Sequence, residues 1–306
     1  MKGDRVAIIQ RMLRRSLLAA AASAPALTLL NGCSVDTTVA DGPTAPSFTA
    51  PSNAPGLALV LAAGGPRGFA HVGVLKALHE LDIRPDLIVG ASVGSLLGGA
   101  LAAGLSIARI EALAFDFDFY KLAHWSPFGG LQFDGALIAT LVRETLGVSK
   151  FSDLKTPLVV VGTDVQEARP VAFNQGDLGV AIQASCAIPG RFAPVRIRGR
   201  EVADADVSSP MPVRIARSLG ARRVLAVDIA VQPDKPRPAG AERYEVSDRA
   251  KREQIDAEGR LADLVLHPYF GYWVSLTREY RVNTAQAAYE QTLQQAAPLK
   301  ALFGRA

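Results

Sequence analysis

The apolar positions of the chain fall into short runs separated by turn residues. Leu57-Ala58-Leu59-Val60-Leu61 is a continuous apolar run, as expected of a parallel strand covered on both faces. A glycine-rich stretch follows, Gly64-Gly65-Pro66-Arg67-Gly68, and then a helical pattern over 69–81. Residues 86–90 predict a second strand. After a tight turn comes a helix of small residues over 93–103. Residues 158–162 and 224–227 predict two more buried strands, and 134–146, 177–185 and 210–219 predict helices. The order strand, loop, helix, strand, turn, helix predicts an α/β domain with a mainly parallel sheet. Residues 233–240 form a Pro-rich surface loop. Residues 241–262 predict a charged surface helix, and 281–298, rich in Gln and Ala, a packed terminal helix. There is no internal repeat.

The first 54 residues follow a different pattern. Residues 1–32 carry a basic start ending in Arg14-Arg15 and an apolar stretch over 17–30. That stretch is short for a membrane span, which needs about 20 apolar residues, and fits an export signal. An uncleaved anchor helix is the alternative. Leu30-Asn31-Gly32-Cys33 resembles the lipobox of bacterial lipoproteins, with Asn31 in place of the usual small residue. That resemblance implies a lipid on Cys33 and cleavage before it. Arg14-Arg15-Ser16-Leu17-Leu18 is similar to a twin-arginine signal. Residues 34–54 read as a disordered tether, so the folded domain is expected over 55–306. Together these features imply attachment to a membrane of the bacterial envelope, on its periplasmic face, and Ser34 resembles an outer-membrane sorting signal.

Composition sharpens this division. The chain has 306 residues, 49% of them apolar and 20% charged, enough for one large core. The net charge is +4, and five basic residues against Asp4 place all of it in the first 32 positions. The remainder is balanced, which gives no support for a nucleic-acid partner. With Cys33 modified, Cys186 has no partner within the chain, so no disulfide framework is predicted.

Two motifs carry candidate chemistry. Gly90-Ala91-Ser92-Val93-Gly94 has the GxSxG spacing between a predicted strand and a predicted helix. In such a turn small neighbours let the backbone pass closely and present the hydroxyl at a helix start. The bland alternative is a helix-capping serine beside packing glycines. In the glycine-rich stretch before the first helix, backbone N–H groups can converge on one point to hold an oxyanion. Pro66 has no N–H, so Gly64, Gly65, Arg67 and Gly68 are the candidate donors. Neither GxxxxGK[ST] nor GxGxxG is present, which excludes the phosphate-loop and dinucleotide fingerprints at this position. The Arg67 side chain serves either to stabilise charge or to hold the loop in shape.

Four separated blocks resemble the bacterial patatin-like phospholipases. They are LALVLAAGGPRGFAHVGVL (57–75), VGASVG (89–94), AIQASCAIPGRFAPV (181–195) and VADADVSSPMPV (202–213). The resemblance implies a three-layer α/β/α fold with a mainly parallel central sheet. It also implies hydrolysis of phospholipid or related lipid esters through an acyl-enzyme, with no cofactor. It places Ser92 as nucleophile and Asp204 as the base of a dyad. Read without it, Asp204 is a turn residue. The chain departs from the family pattern twice. Ala63-Gly64-Gly65 stands where three glycines are usual, and alanine does not readily adopt positive φ. Asp204-Ala205-Asp206 stands where Asp-Gly-Gly or Asp-Gly-Ala is usual, so a second carboxylate either raises the pKa of Asp204 or points to solvent.

The remaining candidates weigh less. His71 is expected to be structural, beside the glycine-rich loop, and His79 to face solvent. His124 lies in an aromatic-rich segment, 107–130, expected to be irregular. That segment is either core filler or a cap lining an acyl groove. His267 is placed to complete a Ser…Asp…His order, with Asp204 or Asp228 orienting it. The histidines lack metal-ligand spacing. Cys186 is expected to be a buried small hydrophobe. A lipid-binding protein without turnover is the non-enzymatic alternative.

Overall fold

The computed structural model describes residues 38–118, 123–126 and 130–304, with backbone alone for 123–126 and 130–133. The leader, Cys33, His124 and the aromatic residues of 119–128 therefore lie outside the described side chains. Among the described residues no helix is long and apolar enough to cross a membrane.

The described residues open with β1 (Val39–Ala40) and the fully buried β2 (Leu57–Leu61), followed by a short 3-10 turn, Gly65–Gly68. Then come α1 (Phe69–Glu80), β3 (Leu87–Ala91), α2 (Val93–Ala102) and α3 (Ile107–Asp116). A small hairpin, β4 (Ala123–Ser126) and β5 (Gly130–Phe133), leads to α4 (Ala136–Leu146). Next are β6 (Leu158–Asp164), β7 (Arg169–Phe173), α5 (Leu178–Ser185), β8 (Val195–Ile197) and β9 (Arg200–Ala203). The chain continues through α6 (Val213–Ser218), β10 (Arg223–Val227), α7 (Glu245–Gly259) and β11 (Leu264–Leu266). It closes with α8 (Arg278–Gln294) and α9 (Ala296–Phe303).

The main sheet runs in the order β1-β8-β9-β6-β3-β2-β10-β11, with β7 also paired to β6. The path from β6 to β11 is parallel throughout, and β7, β8 and β9 add antiparallel pairings at one side. The predicted α/β class with a mainly parallel sheet is thus the observed one. Leu57–Leu61 and Val224–Val227 are apolar on both faces because helices cover both. Parallel strands end on one side, and the loops after β2, β3 and β10 gather there, where ligands bind in open α/β sheets.

Three expectations are corrected. The segment over 107–130 is not irregular throughout: 107–116 is helical, started by the Ser106 side chain accepting from the Arg109 N–H. Residues from 38 onward do not behave as a loose tether. β1 pairs in parallel with β8, Ser47 bridges Gln175, and Ala45 is buried. Backbone pairing and the Arg198 guanidinium, which donates to the carbonyls of Ala45 and Pro46, hold a stretch too polar to announce itself by periodicity. The terminal helix is two, broken at Gln295, which caps α8 and starts α9.

One close crossing fixes the C-terminal helix. A Cβ on Gly73 of α1 would lie 1.9 Å from the Ala285 carbonyl oxygen of α8. Only glycine lets the two backbones meet there. Through this contact α8 holds the segment before it, 267–277, against the carboxyl-terminal side of the sheet.

Candidate active site

β3 delivers its last residue directly into a sharp turn. Ser92 has φ 52 and ψ −124, a left-handed conformation that a non-glycine residue adopts only under constraint. The constraint is visible on both sides. The Ser92 N–H donates to Ser185 Oγ at 2.8 Å, and the Ser95 hydroxyl donates to the Ser92 carbonyl at 2.6 Å. A Cβ on Gly94 would lie 2.2 Å from the Leu61 carbonyl oxygen, so this glycine is required by the approach of α2 to β2. The result is a serine whose hydroxyl stands at the start of α2, where the helix dipole favours negative charge.

The β8–β9 hairpin brings the second residue. Asp204 follows β9, its N–H donating to the Ala187 carbonyl and its own carbonyl accepting from Thr163 Oγ1. Both side-chain oxygens are used. The Ser92 hydroxyl donates to Oδ2 at 2.7 Å, and the Asp206 N–H donates to Oδ1 at 2.8 Å. Ser92 and Asp204, 112 positions apart, are 4% and 1% exposed, so their bond is desolvated. Burial first, and then the neighbouring Asp206 charge, raise the pKa of Asp204 to about 7. Lys251 of α7 works in the opposite direction. Its Nζ lies 2.5 Å from Asp206 Oδ1 and offsets part of that charge. The sequence offered two readings of Asp206, and the geometry selects the first: it sits close enough to act on Asp204.

The glycine-rich loop lies beside the same point. Its departure from three glycines causes no strain. Ala63 is not among the residues with positive φ; the left-handed position is Gly65, at φ 53. Ala63 is fully buried and its N–H donates to the Pro210 carbonyl. The Arg67 N–H donates back to the Gly64 carbonyl. The Arg67 guanidinium turns away from Ser92, donating to the carbonyls of Gly271 and Tyr272 and stacking 5.1 Å from the Phe270 ring. Of the two roles open to it, the structural one is observed. Gly65 and Gly68 face the space next to Ser92.

That space is a cavity of about 500 Å³, within the range of small-molecule sites. Its walls come from Leu96, Leu97 and Ala100 of α2, Ile110 and Leu113 of α3, and Ile138, Leu141 and Val142 of α4. The 107–117 segment is therefore groove lining rather than core filler alone. Cys186 also faces the cavity; burial and the Asp204 charge push its thiol well above the usual range, leaving it neutral and unreactive.

The histidines are elsewhere. His71 is buried and donates from Nε2 to the Ala62 carbonyl at 2.8 Å. Burial lowers its pKa to about 4, so it is a neutral prop for the glycine-rich loop. His79 is exposed. His267 faces away from the serine: Nδ1 lies 3.3 Å from Asp228 Oδ2, and Nε2 bonds the Ala230 carbonyl at 3.1 Å. Asp228 is in turn held by Arg252 at 2.6 Å. The triad alternative fails on this geometry, because the group bonded to the Ser92 hydroxyl is a carboxylate. Among the described residues no cluster could hold a metal ion. Lys251 and the 271–272 carbonyls were not singled out from sequence; both act through folding of segments far from the motifs.

A strained serine between a strand and a helix, paired with a buried aspartate beside a glycine-rich loop, defines a serine–aspartate hydrolase site on an α/β domain. Residues 59–217 match the family model "Patatin-like phospholipase", and the chain belongs to that family. It is 33% identical to an uncharacterised NTE family protein of Mycobacterium tuberculosis, over 58% of this chain and 50% of the relative. It is 30% identical to human patatin-like phospholipase domain-containing protein 6, over 58% of this chain and 14% of that protein. The chain thus spans half or less of these curated relatives. Its fold is similar to that of VipD from Legionella pneumophila, with a TM-score of 0.57 over 92% of this chain and 72% of the other, at 15% identity.

Proposed function

We propose that the protein hydrolyses carboxylic esters of phospholipids or related lipids. The observation that carries this is the 2.7 Å bond from Ser92 Oγ to a buried Asp204, opening onto an apolar cavity. Ser92 Oγ attacks the ester carbonyl carbon, and its proton passes to Asp204 Oδ2. The carbonyl oxygen becomes an oxyanion beside the Gly64–Gly65 backbone and the start of α2. The intermediate collapses, the leaving alkoxide takes the proton from Asp204, and an acyl-enzyme remains. Water, deprotonated by Asp204, attacks the acyl carbon and releases the fatty acid, returning the proton to Ser92. A base with a pKa near 7 suits this work at neutral pH. The dense apolar lining supports an acyl chain as the part of the substrate that enters. A fluorophosphonate is expected to label Ser92 and to go on labelling it in the His267→Ala variant. Labelling that depends on His267 would return the triad.

The N-terminal motifs support a further proposal of placement. Residues 1–32 direct export, Cys33 carries the lipid, and the hydrolase domain stands at the periplasmic face of a bacterial envelope membrane. Intact mass of the membrane-extracted protein is expected to show a chain that starts at an acylated Cys33. An unprocessed start would overturn this.

A further inference from the structure

The cavity has a mouth, and the mouth sits in an apolar surface. Two of its lining residues are also exposed: Ile188 at 38% and Leu276 at 43%. From Leu276 the apolar surface runs on through Val274 and Trp273, each nearly half exposed. Trp273 packs edge-on against Tyr272 at 5.1 Å and against Tyr244 at 6.4 Å. Val246 follows Tyr244 by two residues at the start of α7 and is 76% exposed, which extends the patch along the chain from that ring. Scattered exposed apolar residues are ordinary, but a joined set that ends at a cavity mouth marks a contact surface.

The segment is also built to project. The buried Arg67 holds its near end by the carbonyls of Gly271 and Tyr272. Tyr272 donates its hydroxyl to Asp248 at 2.9 Å. Arg281 holds the far end by the Leu276 carbonyl at 2.8 Å. Trp273 and Val274 stand between two fixed points and are not free to fold inward.

We infer that Trp273, Val274, Tyr244 and Val246 form a docking surface that seats the cavity mouth on a lipid bilayer. The inference rests on the lipid-ester reading above. Its physical reason is the route of the acyl chain. A chain that crosses water to reach the cavity gives up apolar burial at every CH₂ on the way. A mouth sealed against the bilayer lets it pass between two apolar media. Trp and Tyr, apolar with a polar edge, suit the bilayer–water boundary. Two cations stack on neighbouring rings, Arg243 4.8 Å from Tyr244 and Lys235 5.3 Å from Tyr269, and supply the charge that headgroup phosphates attract. Asp234, 3.5 Å from the Lys235 Nζ, and Glu242, next to Arg243 in sequence, offset them, so apolar insertion is the main attraction and net charge a minor one. A protein covering the same patch would close the mouth, which argues for lipid as the occupant.

The test compares the full chain carrying Cys33→Ala, so that no acyl anchor contributes, with the same chain carrying Trp273→Ser and Val274→Asp. A second comparison uses Val246→Asp. Substrates are phosphatidylcholine vesicles and a water-soluble butyrate ester. Hydrolysis of vesicles is expected to fall about ten-fold or more, and hydrolysis of the soluble ester to stay within about two-fold. Unchanged vesicle hydrolysis in both variants overturns the docking surface. If the first variant loses both activities through damage to the fold, Val246→Asp decides: it supports the proposal by losing vesicle activity alone and overturns it by losing none. Should the parent hydrolyse neither substrate, the lipid-ester reading fails, and co-sedimentation with the vesicles still reads docking: retention by the parent and loss by the variants supports it. A lipid-free dimer of the parent that Trp273→Ser dissolves would assign the patch to a second copy instead.

Discussion

Ser92→Ala is expected to lower kcat/KM for ester hydrolysis by about 10⁴-fold or more, the scale seen when a serine nucleophile is removed from a working hydrolase site. Alanine leaves the elbow, the glycine-rich loop and the cavity in place, so substrate still binds and the loss falls on the chemical step. The left-handed backbone at position 92 is no harder for alanine than for serine, because both carry a Cβ. What changes locally is Asp204. It loses the donor on Oδ2 and keeps only the Asp206 N–H on Oδ1, so its charged form becomes still less favoured. Far-UV circular dichroism should remain unchanged. A variant that keeps more than a few per cent of the parent rate toward a chromogenic short-chain ester would remove Ser92 from the mechanism.

Asp204→Asn is expected to lower the rate by about 10³-fold, within the range for loss of a general base. The amide has the shape of the carboxylate but cannot take the serine proton. In the parent, activity requires ionised Asp204, so log(kcat/KM) should rise with pH and level off above a midpoint near 7. The charged groups acting on Asp204 are Asp206 beside it and Lys251 across from it, with the neutral Cys186 thiol facing it from the end of α5. Lys251→Met leaves the Asp206 charge uncompensated and should move the midpoint up. Asp206→Asn should move it down, and the double variant should return toward the parent. A pH profile identical in all four proteins would mean that Asp204 is not the titrating base. Stability runs against activity here. The folded pKa, about 7, lies above the ordinary carboxylate value of 3.8. The folded chain therefore holds this proton more tightly than the unfolded one. The stability that follows is fully present below about pH 4 and is lost as pH rises to 7. Ionising the base for catalysis thus costs the fold part of its stability.

Much of this site was legible along the chain because its parts are local. Leu57–Leu61 and residues 86–90 declare themselves as buried strands by continuous apolar content. Ser92 is marked by glycines that the close approach of α2 requires, and the Gly64–Gly68 stretch by a left-handed backbone at position 65 that glycine adopts without strain. Asp204 was reachable only through resemblance of its block, since nothing in VADADV distinguishes a base from a turn. The helix at 107–116 is hidden in the sequence because the aromatic residues around it obscure a periodic apolar face that packs partly on the core and partly along the cavity.

Sequence by itself thus determined the α/β class, the elbow and the neighbourhood of the glycine-rich loop, each marked by residue types a few positions apart. Tertiary structure alone decided the rest. It joined Ser92 to a carboxylate 112 positions away, sent His267 to Asp228, and turned Arg67 away from Ser92 toward the 271–272 carbonyls. It set Lys251 against Asp206 and laid an exposed tryptophan beside the cavity mouth. The physical reason is common to these cases. A pKa, an ion pair or a surface patch depends on what the sheet and its helices bring together through space, and residue order along the chain does not encode that distance.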